Sequence, residues 1–98
     1  MKYKYKLKFL PIALKEWKNL DHSIKSQLKK KLKERLQNPH IRASQLYGFE
    51  NHYKIKLRAS GYRLVYEVLK KEIVVLVIAV GKREKNLVYR KAAKRRKG

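Results

Sequence analysis

The chain contains no cysteine, so neither a disulfide nor a thiolate metal site can belong to its chemistry. Acid is nearly as scarce: seven Asp and Glu stand against 28 Lys and Arg, for a formal net charge of +21. Those acids (Glu16, Asp21, Glu34, Glu50, Glu67, Glu72 and Glu84) are scattered, and no pair is placed to hold two metal ions. His22, His40 and His52 share no metal-ligand spacing and are expected on the surface; only His52, beside a basic strand, is a candidate acid or base. The four glycines, Gly48, Gly61, Gly81 and Gly98, stand apart, which rules out a glycine-rich phosphate loop. The longest apolar run, Ile73 to Val80, is far too short to cross a bilayer as a helix. The first residues alternate Lys with Tyr, Leu and Phe and build no signal-peptide core. The expectation is a soluble cytoplasmic protein with no metal, no cofactor and no membrane partner.

What is abundant is positive charge. At 98 residues the chain suffices for one domain with a modest core, about 60–65% of its unfolded surface being buried. An excess of cations on so small a body implies a polyanionic partner such as RNA, DNA, an anionic membrane or an acidic protein.

Periodicity gives the layout. Residues 2–9 alternate Lys2, Lys4, Lys6 and Lys8 with Tyr3, Tyr5, Leu7 and Phe9, the pattern of a half-buried strand at a sheet edge. Pro11 opens a helix with Ala13, Leu14, Trp17 and Leu20 as its apolar stripe. Asp21 or Ser23 caps a second helix on which Ile24, Leu28, Leu32 and Leu36 recur, and Asn38-Pro39 stops it. A short extended piece is expected near Gln45-Leu46-Tyr47. Ile73 to Val80 reads as a central strand covered on both faces. The segment from Lys85 to Gly98 is a candidate helix whose apolar content is limited to Leu87, Val88, Tyr89, Ala92 and Ala93, so it should dock weakly. The expected order is β-α-α-β-β-β-α: a single α+β domain over 1–98, with a mainly antiparallel sheet, an N-terminal αα-hairpin, a C-terminal helix, and helices on one side.

Between the helical hairpin and the central strand lies a basic β-hairpin, Tyr53-Lys54-Ile55-Lys56-Leu57-Arg58 returning as Tyr62-Arg63-Leu64-Val65-Tyr66. Alternation sends Tyr53, Ile55, Leu57, Tyr62, Leu64 and Tyr66 inward, and Lys54, Lys56, Arg58 and Arg63 to the other face. A turn of two or four residues sets Arg58 opposite Arg63 and Lys54 opposite Glu67. Two arginines facing each other suggest a site that expects an anion, although two guanidinium groups splayed into water satisfy the same pattern.

Lys, Arg and Tyr can catalyse RNA cleavage by the RNA's own 2′-hydroxyl. The catalyst aligns the attack, stabilises charge on the phosphorane and moves protons. The same residues also suit RNA binding without catalysis.

The motifs Tyr53-Lys-Ile-Lys-Leu-Arg58, Gly61-Tyr-Arg-Leu-Val-Tyr66 and Val80-Gly-Lys-Arg-Glu84 with Val88-Tyr89 resemble the RelE toxins of bacterial toxin–antitoxin modules. Ala13-Leu-Lys-Glu-Trp17, Gln27-Leu-Lys-Lys-Lys-Leu32 and Leu46-x-Gly48 agree, so the resemblance spans nearly the whole chain. It implies a metal-independent endoribonuclease that enters the 70S ribosome and cuts mRNA in the A site, leaving a 2′,3′-cyclic phosphate. It also implies a RelB-type antitoxin and repression of operator DNA through the antitoxin complex alone. Carried over by motif, the catalytic set is Lys54, Lys56, Arg63, Arg83 and Tyr89. Arg63 and Arg83 would stabilise the phosphate, Lys54 and Lys56 would handle protons and charge, and Tyr89 would stack on or orient the nucleotide. Arg58, Lys82, Lys85 and Arg90 are further RNA contacts. A non-catalytic RNA- or ribosome-binding protein is the alternative.

Overall fold

The computed structural model describes residues 4–82 and 87–97. β1 (Lys6–Phe9) leads into α1 (Pro11–Lys18) and α2 (His22–Gln37); a 3-10 turn at Arg42–Ser44 precedes β2 (His52–Leu57), β3 (Tyr62–Leu69), β4 (Val74–Lys82) and α3 (Leu87–Lys97). The sheet order is β1-β4-β3-β2, with β1 parallel to β4 and the other pairs antiparallel. β1 lies at an edge, as expected, but covers only Lys6–Phe9 of the strand expected over 2–9, with Lys6, Leu7 and Lys8 all exposed and Lys2 and Tyr3 outside the described residues. Pro11 occupies the first helical position, where its missing N–H leaves no intrahelical bond unmade. Asp21 stands at the N-cap of α2, although its side chain makes no capping bond.

Strand alternation separates two apolar clusters. On one face Leu64, Tyr66, Val75 and Val77 meet the α2 stripe of Ile24, Leu28, Leu32 and Leu36. On the other, Val65, Ile78 and Ala79 meet Val88 and Ala92 of α3. Helices therefore cover both faces, not one: β3 and β4 turn a second, smaller apolar row outward, and α3 docks on it. A β-bulge makes room, with Val65 opposite Ala79 and Tyr66 opposite Val77, so Ile78 is the extra residue. The central strand begins at Val74; Ile73, expected within it, is exposed in the preceding turn with φ of 55°.

The basic hairpin has the expected parity and a different register. Leu57 pairs with Tyr62, so Arg58 to Gly61 form the turn, and the Gly61 N–H closes it on the Leu57 carbonyl at 2.8 Å. Gly61 takes φ of +80°, a conformation glycine adopts without steric cost. Arg63 consequently faces Lys56, not Arg58, and Glu67 faces His52, not Lys54.

Candidate active site

The site grows from the face of the sheet beneath α3. Lys54 sits opposite Val65 and Lys56 opposite Arg63, so all three cations share the face that carries the α3 cluster. α3 then lays Tyr89 beside them, with the Lys54 Nζ 5.9 Å from the centre of its ring, a cation–π arrangement. Lys56 is exposed, whereas Lys54 and Tyr89 are half-buried.

Arg63 is the unusual member. Only 7% of it is exposed, and its Nη1 donates to the Tyr62 carbonyl at 3.1 Å while its Nε is buried without a partner among the described residues. A buried guanidinium with an unmet donor is costly, and an incoming anionic oxygen would remove that cost.

Arg58 is exposed in the turn and helps Lys31, Arg35, Lys54 and Lys56 line a groove of about 320 Å³ beside β2. Lys82 is exposed at the end of β4 opposite Tyr62, and Arg90 is exposed on α3. Arg83 and Lys85 lie outside the described residues. The described structure thus sets Lys54, Lys56 and Arg63 on one face of the sheet with Tyr89 against Lys54, and leaves Arg58, Lys82 and Arg90 among the exposed cations of the chain.

Glu16 and Arg35, for which the sequence suggested no role, and His52, which it placed on the surface, make partly buried contacts around this face. Glu16 of α1 accepts from both Arg95 Nη atoms at 2.9 and 3.0 Å, from Lys91 Nζ at 3.3 Å and from the Val80 N–H at 3.2 Å. Arg95 also donates to the carbonyl of the bulged Ile78 at 2.8 Å. Burial pushes the Glu16 carboxyl up, but the bonds from Arg95, Val80 and Lys91 with the charge of Arg95 hold it below its ordinary value. The available signal was its place three residues after Ala13, on the buried side of α1.

Arg35 of α2 donates to the Tyr66 hydroxyl at 2.9 Å, the Lys54 carbonyl at 3.3 Å and the Ser44 hydroxyl at 3.2 Å. The Tyr66 hydroxyl in turn donates to the Pro39 carbonyl at 2.7 Å. Burial raises the pKa of that phenol against the opposing influence of Arg35.

His52, expected on the surface, is buried: its Nδ1 lies 2.7 Å from the Glu50 carbonyl and its Nε2 3.9 Å from Glu67. Arg96 Nε reaches the same Glu67 oxygen at 2.6 Å, so a second carboxylate meets a cation of α3. The position of His52 opposite Glu67 follows from the β2–β3 register, which the sequence did not reveal.

A chain with this geometry has close relatives. Residues 7–87 match the ParE toxin family of the type II toxin–antitoxin system, parDE. The chain is 55% identical over 91 residues to the mRNA interferase toxin RelE of Escherichia coli K12, covering 93% of this chain and 96% of that protein. A putative RelE-like toxin protein of Escherichia coli is 51% identical over 92 residues, covering 94% and 97%. Among solved structures, an arginine double mutant of Escherichia coli RelE in the free state superposes with a TM-score of 0.88 at 53% identity, covering 95% of this chain and 98% of that one. The toxin in the intact Escherichia coli RelBE toxin–antitoxin complex gives a TM-score of 0.80 at 55% identity, covering 82% and 98%.

Proposed function

Since this chain belongs to the RelE branch of the RelE/ParE family of type II toxin–antitoxin toxins, we propose that it is an mRNA interferase that cuts mRNA in the ribosomal A site. The observation that carries this reading is Arg63: a buried cation with an unmet donor, beside two lysines and a tyrosine ring. The 2′-hydroxyl attacks the neighbouring phosphorus while the bond to the 5′-oxygen breaks, leaving a 2′,3′-cyclic phosphate without a metal. Arg63 stabilises the added phosphorane charge, a role in which one aligned donor is worth about 10²–10³ in rate. Lys54 and Lys56 carry protons and charge, and Tyr89 stacks on the nucleotide. Arg83, following β4, supplies a second cation, and Arg58, Lys82, Lys85 and Arg90 hold flanking phosphates.

A RelB-type antitoxin is the partner, as the complexes of related RelE chains with RelB support. The toxin acts in the cytoplasm and meets operator DNA only through that complex. The antitoxin inhibits by lifting the weakly apolar α3, which takes Tyr89 away from Lys54 while leaving the strand cations in place. The ribosome aligns the RNA, which explains how so few catalytic groups suffice.

Purified ribosomes programmed with a defined mRNA test the reading: new 5′ ends should map to the A-site codon, while the same mRNA free in solution is cut poorly. Equal rates on both substrates would overturn the ribosome dependence. Binding without any cut would establish the non-catalytic alternative.

A further inference from the structure

Tyr47 is the most exposed of the large apolar side chains described, with 89% of its surface open to solvent. A lone exposed aromatic is ordinary by itself. What distinguishes Tyr47 is the order of the loop that carries it. Gln45 bridges Tyr53 in antiparallel fashion, and the Leu46 N–H donates to the His52 carbonyl at 2.8 Å. Phe49 sets its ring 5.9 Å from that of His52, and Gly48 turns the backbone with φ of +86°. Leu46 packs into the same cluster as Tyr89, on the α3 face of the sheet. The loop is therefore fastened on both sides of Tyr47, and among the described residues nothing bonds to the Tyr47 hydroxyl or stacks on its ring.

Position decides what such a ring can do. The Leu46 N–H meets the His52 carbonyl, so Tyr47 lies in the turn that leads into β2, whose first residue, His52, is two residues from Lys54. At about 3.3 Å per residue His52 stands roughly 7 Å from Lys54 and roughly 13 Å from Lys56, which faces Arg63, so Tyr47 lies toward the other end of β2, a few nucleotides along an RNA held at those cations. The ring borders an open groove of about 530 Å³ whose wall includes Arg42 and Phe49, ample for a nucleobase.

We propose that Tyr47 forms a nucleobase subsite, a second aromatic platform on which a base near the scissile phosphate stacks. The proposal rests on the RNA-cleaving reading of the neighbouring cations and adds to it a base contact apart from that of Tyr89. Because the loop backbone is already fastened, little main-chain motion need be frozen when RNA arrives, and only the side-chain torsions of Tyr47 are left to order.

Two independent arms test it. In the first, 2-aminopurine is placed singly at successive positions of a short RNA whose 2′-hydroxyls are methylated and which cannot be cleaved. Wild type and Tyr47→Phe should quench the fluorophore at one position. Tyr47→Ala should bind that RNA roughly 5- to 150-fold more weakly and lose that quenching. Tyr89→Ala should lose quenching at a different position. Equal affinity and quenching in Tyr47→Ala and wild type would overturn the subsite. In the second arm, wild type acts on unmodified mRNA in programmed ribosomes; failure there overturns the nuclease reading, while base stacking at Tyr47 is still decided by the first arm. The thermal midpoint of Tyr47→Ala should match wild type, since the removed side chain is exposed.

Discussion

Removing the Glu16 carboxylate should release α3 without unfolding the sheet. Glu16 and Arg95 keep only 19% and 14% of their side chains exposed, so their pair is largely shielded from water. Breaking such a pair from one side costs about 3–5 kcal/mol, because the partner charge is left buried and unpaired. Arg95 retains the Ile78 carbonyl, which moderates the loss to roughly 2–3 kcal/mol. The apolar docking of α3 through Val88 and Ala92 is of the same order, so the carboxylate supplies much of what holds the helix. In Glu16→Ala, local opening of α3 should rise about 30- to 150-fold. Native-state hydrogen exchange reads this directly: amides of the last two turns of α3 should lose protection, while those of Val75 and Val77 keep it. Cleavage should fall as well, because Tyr89 departs with the helix. A change in α3 protection of less than twofold would refute the role given to Glu16, as would loss of protection in α3 and β4 together.

Acid should reproduce part of this effect: Glu16 titrates below its ordinary value of 4.5 in the fold, so its contribution is complete above that pH and disappears as pH falls through the lowered value. Local opening of α3, corrected for the intrinsic pH dependence of amide exchange, that does not rise as pH falls well below 4.5 while the sheet stays folded would count against the assignment. Arg63→Met should lower cleavage about 10²- to 10³-fold yet leave the thermal midpoint unchanged or higher, since it removes a buried unmet donor; a large drop in the midpoint would mean that Arg63 serves the fold. Tyr66→Phe should cost about 1–3 kcal/mol in denaturant unfolding, because the Pro39 carbonyl and Arg35 both lose a buried partner. In that variant cleavage should follow only the folded fraction, and a separate catalytic loss would contradict the structural role.

Parity along β2 and β3 was legible because burial of one face leaves no freedom in a period of two. Register was not. Whether the turn starts at Arg58 or one residue later depends on where Gly61 takes its positive φ, and both choices keep the same residues inward. The period-four stripe of α2 was equally clear, whereas the seating of α3 was not: Val88 and Ala92 are a faint apolar signal, and the rest of its attachment is ionic. Arg95 and Arg96 stand in a run of four cations that reads as solvated tail, and nothing local says that Glu16 and Glu67 wait for them across the fold. Lys54, Lys56, Arg63 and Tyr89 were singled out through motif alone; the fold adds that the three cations share one face of the sheet and that Tyr89 lies against Lys54.

The parallel pairing of β1 with β4 also sets an order of events during synthesis. Lys6 to Phe9 are made 68 residues ahead of their ladder partners, Val74 to Val77. Until those residues emerge, β1 has no strand to join and the Val77 carbonyl that receives the Leu10 N–H does not exist. The platform under Tyr89 is likewise incomplete, since Ile78 and Ala79 arrive later still. Closing so long a loop makes sheet completion a late step, and the face of the sheet under α3 takes shape only with it.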